Sequence, residues 1–167
     1  MRERLRVEGE ALRETLARSD HAWLVQASPD GLLYEVEFEF RTLLQDRAQR
    51  RIDERERIVG VVYHLHEDHP HRPPIAVARE TGLFNTHVAD PRQGPPAPPI
   101  PVLCLKAFQP QHRLADLVVA TWDVLRWQKI ATDSAMNHEA AEYARRELRD
   151  PDRFPIDRRE FWRAEGA

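Results

Sequence analysis

The chain has 167 residues, enough for one domain with a single core, and 32% of them are charged. Its mean hydropathy is −0.65, and no apolar run approaches the roughly 18 residues that span a bilayer, so no membrane partner is expected. The net charge of −3 carries no basic footprint for nucleic acid, and a single cysteine, Cys104, excludes an internal disulfide and fits a reducing cytoplasm.

The opening stretch, MRERLRVEGEALRETL, lacks the apolar core of a secretory signal. Residues 2–18 read instead as an amphipathic helix, with Leu5, Leu12 and Leu16 forming a stripe beside Val7 and Ala11. Arginines 2, 4, 6 and 13 share the remaining surface with glutamates. Ser19-Asp20 ends the helix, and AWLVQA is a short strand closed by the turn SPDG. In LLYEVEFEFRTLL, Tyr34, Val36, Phe38 and Phe40 alternate with Glu35, Glu37, Glu39 and Arg41, which predicts one buried and one wet face. QDRAQRRIDERER is too charged for core and reads as an exposed hairpin connection. IVGVVYHLHE is a third strand, stopped by the prolines of DHPHRPP, and IAVARETGLFNTHV supplies a fourth with its exit.

Six prolines then fall between Pro91 and Pro101, just ahead of VLCL and Cys104. Residues 90–101 are expected to form a stiff flap beside the thiol, since proline supports neither ladder nor helix. After the cysteine the period changes. Leu114, Leu117, Val118, Thr121, Trp122 and Leu125 recur at helical spacing over about 112–128. NHEAAEYARREL is a further helix, with Asp133-Ser134 or Asn137 as caps and Ala140, Ala141 and Ala144 on one side. The tail from 151 to 167 begins at a proline break and ends in one helical turn carrying Phe161 and Trp162. The expected fold is therefore α+β: an N-terminal helix, a four-stranded antiparallel meander, an irregular cysteine-bearing segment and C-terminal helices. Residues 1–150 form the domain and 151–167 its tail.

On residue type alone, a lone cysteine in VLCL is by default inert core, because free cysteines are among the most buried residues. Paired with a histidine it also suggests a cysteine hydrolase, although such a nucleophile prefers a helix N-terminus. Histidines 64, 66, 69 and 71 cluster, and His64 and His66 with Glu67 or Asp68 would be the candidate metal ligands. Their spacing matches no standard zinc pattern, so no metal is expected. No cofactor motif is present.

Five ordered landmarks are similar to those of the ubiquitin-conjugating enzyme family, over residues 2–148. HPHRPP (His69 to Pro74) stands where that family has Tyr-Pro-x-x-Pro-Pro. Asn85-Thr86-His87, within TGLFNTHV, stands at its His-Pro-Asn. VLCL places Cys104 at the catalytic cysteine, FQP (Phe108 to Pro110) matches Trp-x-Pro, and NHEAAEYA matches the later helix. Three departures accompany the match: His87 replaces the asparagine, the segment before the cysteine is longer, and the loop after it is shorter. Such departures resemble the divergent bacterial branch, some members of which serve ubiquitin-like conjugation in antiviral defence operons.

The resemblance implies a carrier that accepts a ubiquitin-like protein from an activating enzyme as a thioester on Cys104 and passes it to an amine of a target protein. It implies catalytic parts for Cys104, for His87 as a donor to the oxyanion or a support of the loop, and for Asp133 near the incoming amine. Arg2, Arg6 and Arg13 would meet the activating enzyme. Of the 25 basic residues only Lys106 and Lys129 are lysines, which would limit self-modification, with Lys106 the nearest target. The alternatives are a catalytically silent adaptor of the same fold and the cysteine hydrolase.

Overall fold

The first helix buries the stripe its spacing predicts, with one addition that organises the molecule. The computed structural model describes residues 2–46, 48–80, 82–89, 101–105 and 109–163, and of Arg2 only the backbone. In α1 (Arg2–Leu16), Leu5, Leu12 and Leu16 are buried, and so is Glu8 between them, at 0% exposure. The Glu8 carboxylate pairs with Arg4 one turn earlier (2.7 Å) and accepts the Leu114 N–H (2.7 Å). It also faces His69 Nε2 at 3.4 Å, and because a carboxylate only accepts, that nitrogen carries the proton. Leu114 opens α2 (Leu114–Leu125), so Glu8 satisfies one of the donors a helix start leaves over and sits at its positive end.

Five antiparallel strands follow in chain order: β1 (Ala22–Ala27), β2 (Leu33–Asp46), β3 (Arg51–His64), β4 (Ile75–Ala78) and β5 (Val102–Leu103). Tyr34, Val36, Phe38 and Phe40 of β2 and Val59, Val61 and Tyr63 of β3 face inward as the alternation requires, against Leu114, Val118 and Trp122 of α2. Tyr63 donates its buried hydroxyl to Thr121 at 2.7 Å, so that this polar atom is not stranded in the core. A second cluster joins Leu43, Phe84, Trp127 and Ile156 to Ala140 and Ala144 of α3 (His138–Glu147). Asn137 caps α3, accepting the Ala140 N–H.

Three expectations need correction. Among the described residues the sheet has five strands, the fifth being the two-residue piece directly before Cys104. The charged stretch from Gln45 to Arg57 is mostly ladder: β2 and β3 pair in continuous register from Leu33↔His64 to Asp46↔Arg51. Backbone pairing is indifferent to charge when both faces can be wet, and Asp53 bonds Arg51 and Arg55, its neighbours along one face. The tail makes no helical turn among the described residues. It runs as a strap in which Asp157 accepts the Arg41 N–H (2.7 Å), Ile156 donates to the Arg126 carbonyl (2.9 Å), and Phe161 packs on Trp122.

α2 ends at a tryptophan in the left-handed region, Trp127 with φ 67°. Its N–H returns to the Val124 carbonyl (3.1 Å), and the Gln128 N–H to that of Asp123 (2.9 Å), a helix end usually made by glycine. Stacking of the indole on Phe154, with centroids 5.2 Å apart, holds a large residue in that conformation.

Burial pushes the Glu8 carboxyl up, but the hydrogen bonds from His69 and Leu114 and the charge of Arg4 outweigh it and hold the group below the ordinary range. A lowered folded value stabilises fully above the ordinary carboxylate pKa of about 4.3, and that stability is lost as pH falls through the folded value. Glu8→Ala is expected to cost about 3–5 kcal/mol near pH 7, since it strands its buried partners. Denaturant titration should show the gap to the parent narrowing as the pH falls through the folded value. An equal gap at pH 7 and pH 3 would contradict the ionic role of Glu8.

Candidate functional site

Cys104 is placed by strand pairing on both sides of the residue before it. Leu103 of β5 pairs with Ala76 of β4 on one edge and bridges Val88 on the other. The ladder with Val88 continues in both directions: the Ala89 N–H reaches the Val102 carbonyl (2.9 Å) and the Cys104 N–H the His87 carbonyl (2.8 Å). The His87 ring closes the same step, with Nδ1 lying 3.1 Å from the Cys104 carbonyl oxygen. A carbonyl only accepts, so Nδ1 donates. His87 therefore grips Cys104 through its own carbonyl and through its ring. The thiol is free of any disulfide and half-buried.

The segment carrying His87 is fixed at its other end by the far half of the long hairpin. Phe84 donates to the Leu43 carbonyl (2.9 Å), and Leu83 bridges Leu44. Between these anchors lies Asn85, 1% exposed, whose amide is used at both ends. Nδ2 donates to the Val124 carbonyl at 2.7 Å, and Oδ1 accepts the His87 N–H at 2.9 Å. Thr86, next along and fully buried, accepts the Ala131 N–H on its hydroxyl (3.1 Å) and the Met136 N–H on its carbonyl (2.9 Å).

Asp133 lies within the loop that Thr86 ties. Its side chain is 97% exposed, with the Thr132 hydroxyl at 3.3 Å and the Arg145 guanidinium at 4.0 Å. The loop is thus joined to the His87 segment through the hydroxyl and carbonyl of Thr86, while the Asp133 carboxylate stands in solvent.

The candidate arginines of α1 differ from one another. Arg6 is held between Glu3 and Glu10, so most of its charge is answered within the helix. Arg13 is exposed and, among the described residues, has no carboxylate within ion-pair distance. The Arg2 side chain, residues 90–100 of the proline flap, Lys106 and Phe108 lie outside the described residues. Among the described residues no group of three His, Cys, Asp or Glu side chains gathers as a metal site, and no helix is long and apolar enough to cross a membrane.

Sequence reasoning did not assign parts to Asn85 and Thr86. One signal was available for the first: asparagine commonly bonds the backbone two residues on, the geometry Asn85 makes with His87. Nothing local announces its second partner, 39 residues away. No protein-family model matches the chain, and a search of curated proteins finds no match.

Asn85→Ala is expected to lower stability by about 1–3 kcal/mol, because the buried His87 N–H loses its acceptor and the Val124 carbonyl keeps only Trp127. Urea titration should give a lower midpoint at unchanged slope. A midpoint equal to the parent's would mean that the amide bears no load.

Proposed function

We propose that the chain is a carrier of a ubiquitin-like protein, with the ubiquitin-conjugating-enzyme-like fold and Cys104 as its thioester site. The observation that carries this reading is the grip on Cys104: a half-buried cysteine at the end of β5, whose backbone N–H and carbonyl are bound by the carbonyl and the ring of His87. The order of elements supports the same reading, since a helix, a sequential antiparallel sheet, the cysteine and then helices is the order the resemblance implies.

The chemistry follows from a thiol on a fixed stretch of backbone. The Cys104 thiolate attacks the thioester carbonyl presented by an activating enzyme. A new C–S bond forms, the old one breaks, and the activating enzyme's sulfur leaves as thiolate. The target amine then attacks the same carbonyl. A C–N bond forms, the bond to Cys104 breaks with its sulfur leaving as thiolate, and the amine's proton passes to a nearby carboxylate or water. His87 acts first by position. Its Nδ1–H is committed to the Cys104 carbonyl, and Nε2, buried in this conformation, could donate to the oxyanion only in the doubly protonated ring. That commitment is also what favours the second reading, an adaptor of the same fold that carries nothing. Arg13, more than Arg6, is the charge on α1 open to an activating enzyme.

Purified activating enzymes with their cognate ubiquitin-like proteins and ATP separate the two readings. A carrier is expected to form an adduct that dithiothreitol releases. Cys104→Ser should give an oxyester that resists the reductant, and Cys104→Ala no adduct. An adduct that survives in Cys104→Ala, or a parent that charges with none of the pairs while remaining folded, would contradict the carrier.

A further inference from the structure

We infer that Thr86 is a positioning residue, which holds residues 131–136, and with them Asp133, in fixed register to the His87–Cys104 ladder. Both ends of this segment close on that one residue: Ala131 through the Thr86 hydroxyl and Met136 through its carbonyl. The residues between them, 132 to 135, form a loop pinched at its neck. Thr86 itself cannot drift, because it is fully buried between Asn85, tied to Val124, and His87, tied to Cys104.

Two further bonds keep the loop from turning about its neck. Asn137 caps α3 directly after it, and Arg145 of α3 donates to the Thr132 carbonyl. Asp133 is therefore flanked by a rigid helix on one side and by the bond from Ala131 to Thr86 on the other. A carboxylate in solvent is a poor guide for an incoming amine unless its backbone is fixed, and the Thr86 hydroxyl is the side-chain bond that fixes it. This inference rests on the carrier reading for its chemistry and on geometry alone for the hold on the loop.

The test uses Thr86→Val, which keeps the shape and removes the acceptor, with Thr86→Ser to restore it. Each full-length chain is loaded on Cys104 by thiol exchange from a C-terminal ubiquitin thioester of 2-mercaptoethanesulfonate. Discharge is then followed with free lysine and with hydroxylamine, whose nitrogen needs no guiding carboxylate. In Thr86→Val, hydrogen exchange at Ala131 and through 132–135 should rise about five- to tenfold, and lysine discharge should fall by a similar factor. Hydroxylamine discharge should hold within about twofold, and serine should restore both readouts; a hydrogen bond of ordinary strength sets these factors. Unchanged exchange in Thr86→Val overturns the inference, as does raised exchange with lysine discharge at the parent rate. If the parent thioester meets lysine no faster than a small-molecule thioester does, the carrier reading falls. The hold on the loop is then upheld by raised exchange or overturned by its constancy.

Discussion

The side-chain amide of Asn85 is the bond on which the thiol's placement depends. Its donor end takes the Val124 carbonyl near the end of α2, and its acceptor end takes the N–H of His87. Through it the helix that backs the sheet and the segment that grips Cys104 become one body. In a buried setting such an amide is strong while both ends are used and costly when either is not. Trp127 belongs to the same arrangement. Its left-handed backbone ends α2 where Val124 can serve both it and Asn85, and its indole fills the second cluster beside Phe84.

Two distant features supply the frame. Glu8 draws α1, the His69 turn and the first N–H of α2 together around one buried carboxylate, so that both helices keep station over the sheet. The long hairpin does the rest. Its outer half looks like surplus, yet Leu43 and Leu44 receive Phe84 and Leu83 there, which delivers the chain to Asn85. A charged ribbon thus has a use that its composition hides: one edge of it is the platform for the site.

The parts of the fold that were legible in the sequence are those governed by burial. Tyr34, Val36, Phe38 and Phe40 face inward because a half-buried strand must alternate, and the stripe of α2 lies on the core for the corresponding helical reason. Illegible features were those fixed by a distant partner. A glutamate inside an apolar stripe reads as an interruption until Leu114 and His69 come into view. A two-residue strand offers no alternation to detect, and charge concealed that Arg51–Glu56 pairs with β2. At the site, Cys104 and His87 were singled out through the resemblance, and the ladder brings them together. Thr86 could not be, nor could the bond of Asn85 to Val124, since those partners lie across the fold.

Hydrogen exchange of the asparagine side-chain amides reaches the centre of this arrangement directly. The chain has two asparagines, Asn85 and Asn137, so their Nδ2 signals can be told apart by substituting either one. Nδ2 of Asn85, buried and bonded to Val124, is expected to exchange orders of magnitude more slowly than an exposed amide, and to slow no less when Asn137 is replaced. Exchange of Asn85 at the rate of a free side-chain amide would contradict it: the thiol would then be held by the His87 ladder alone, with α2 playing no part.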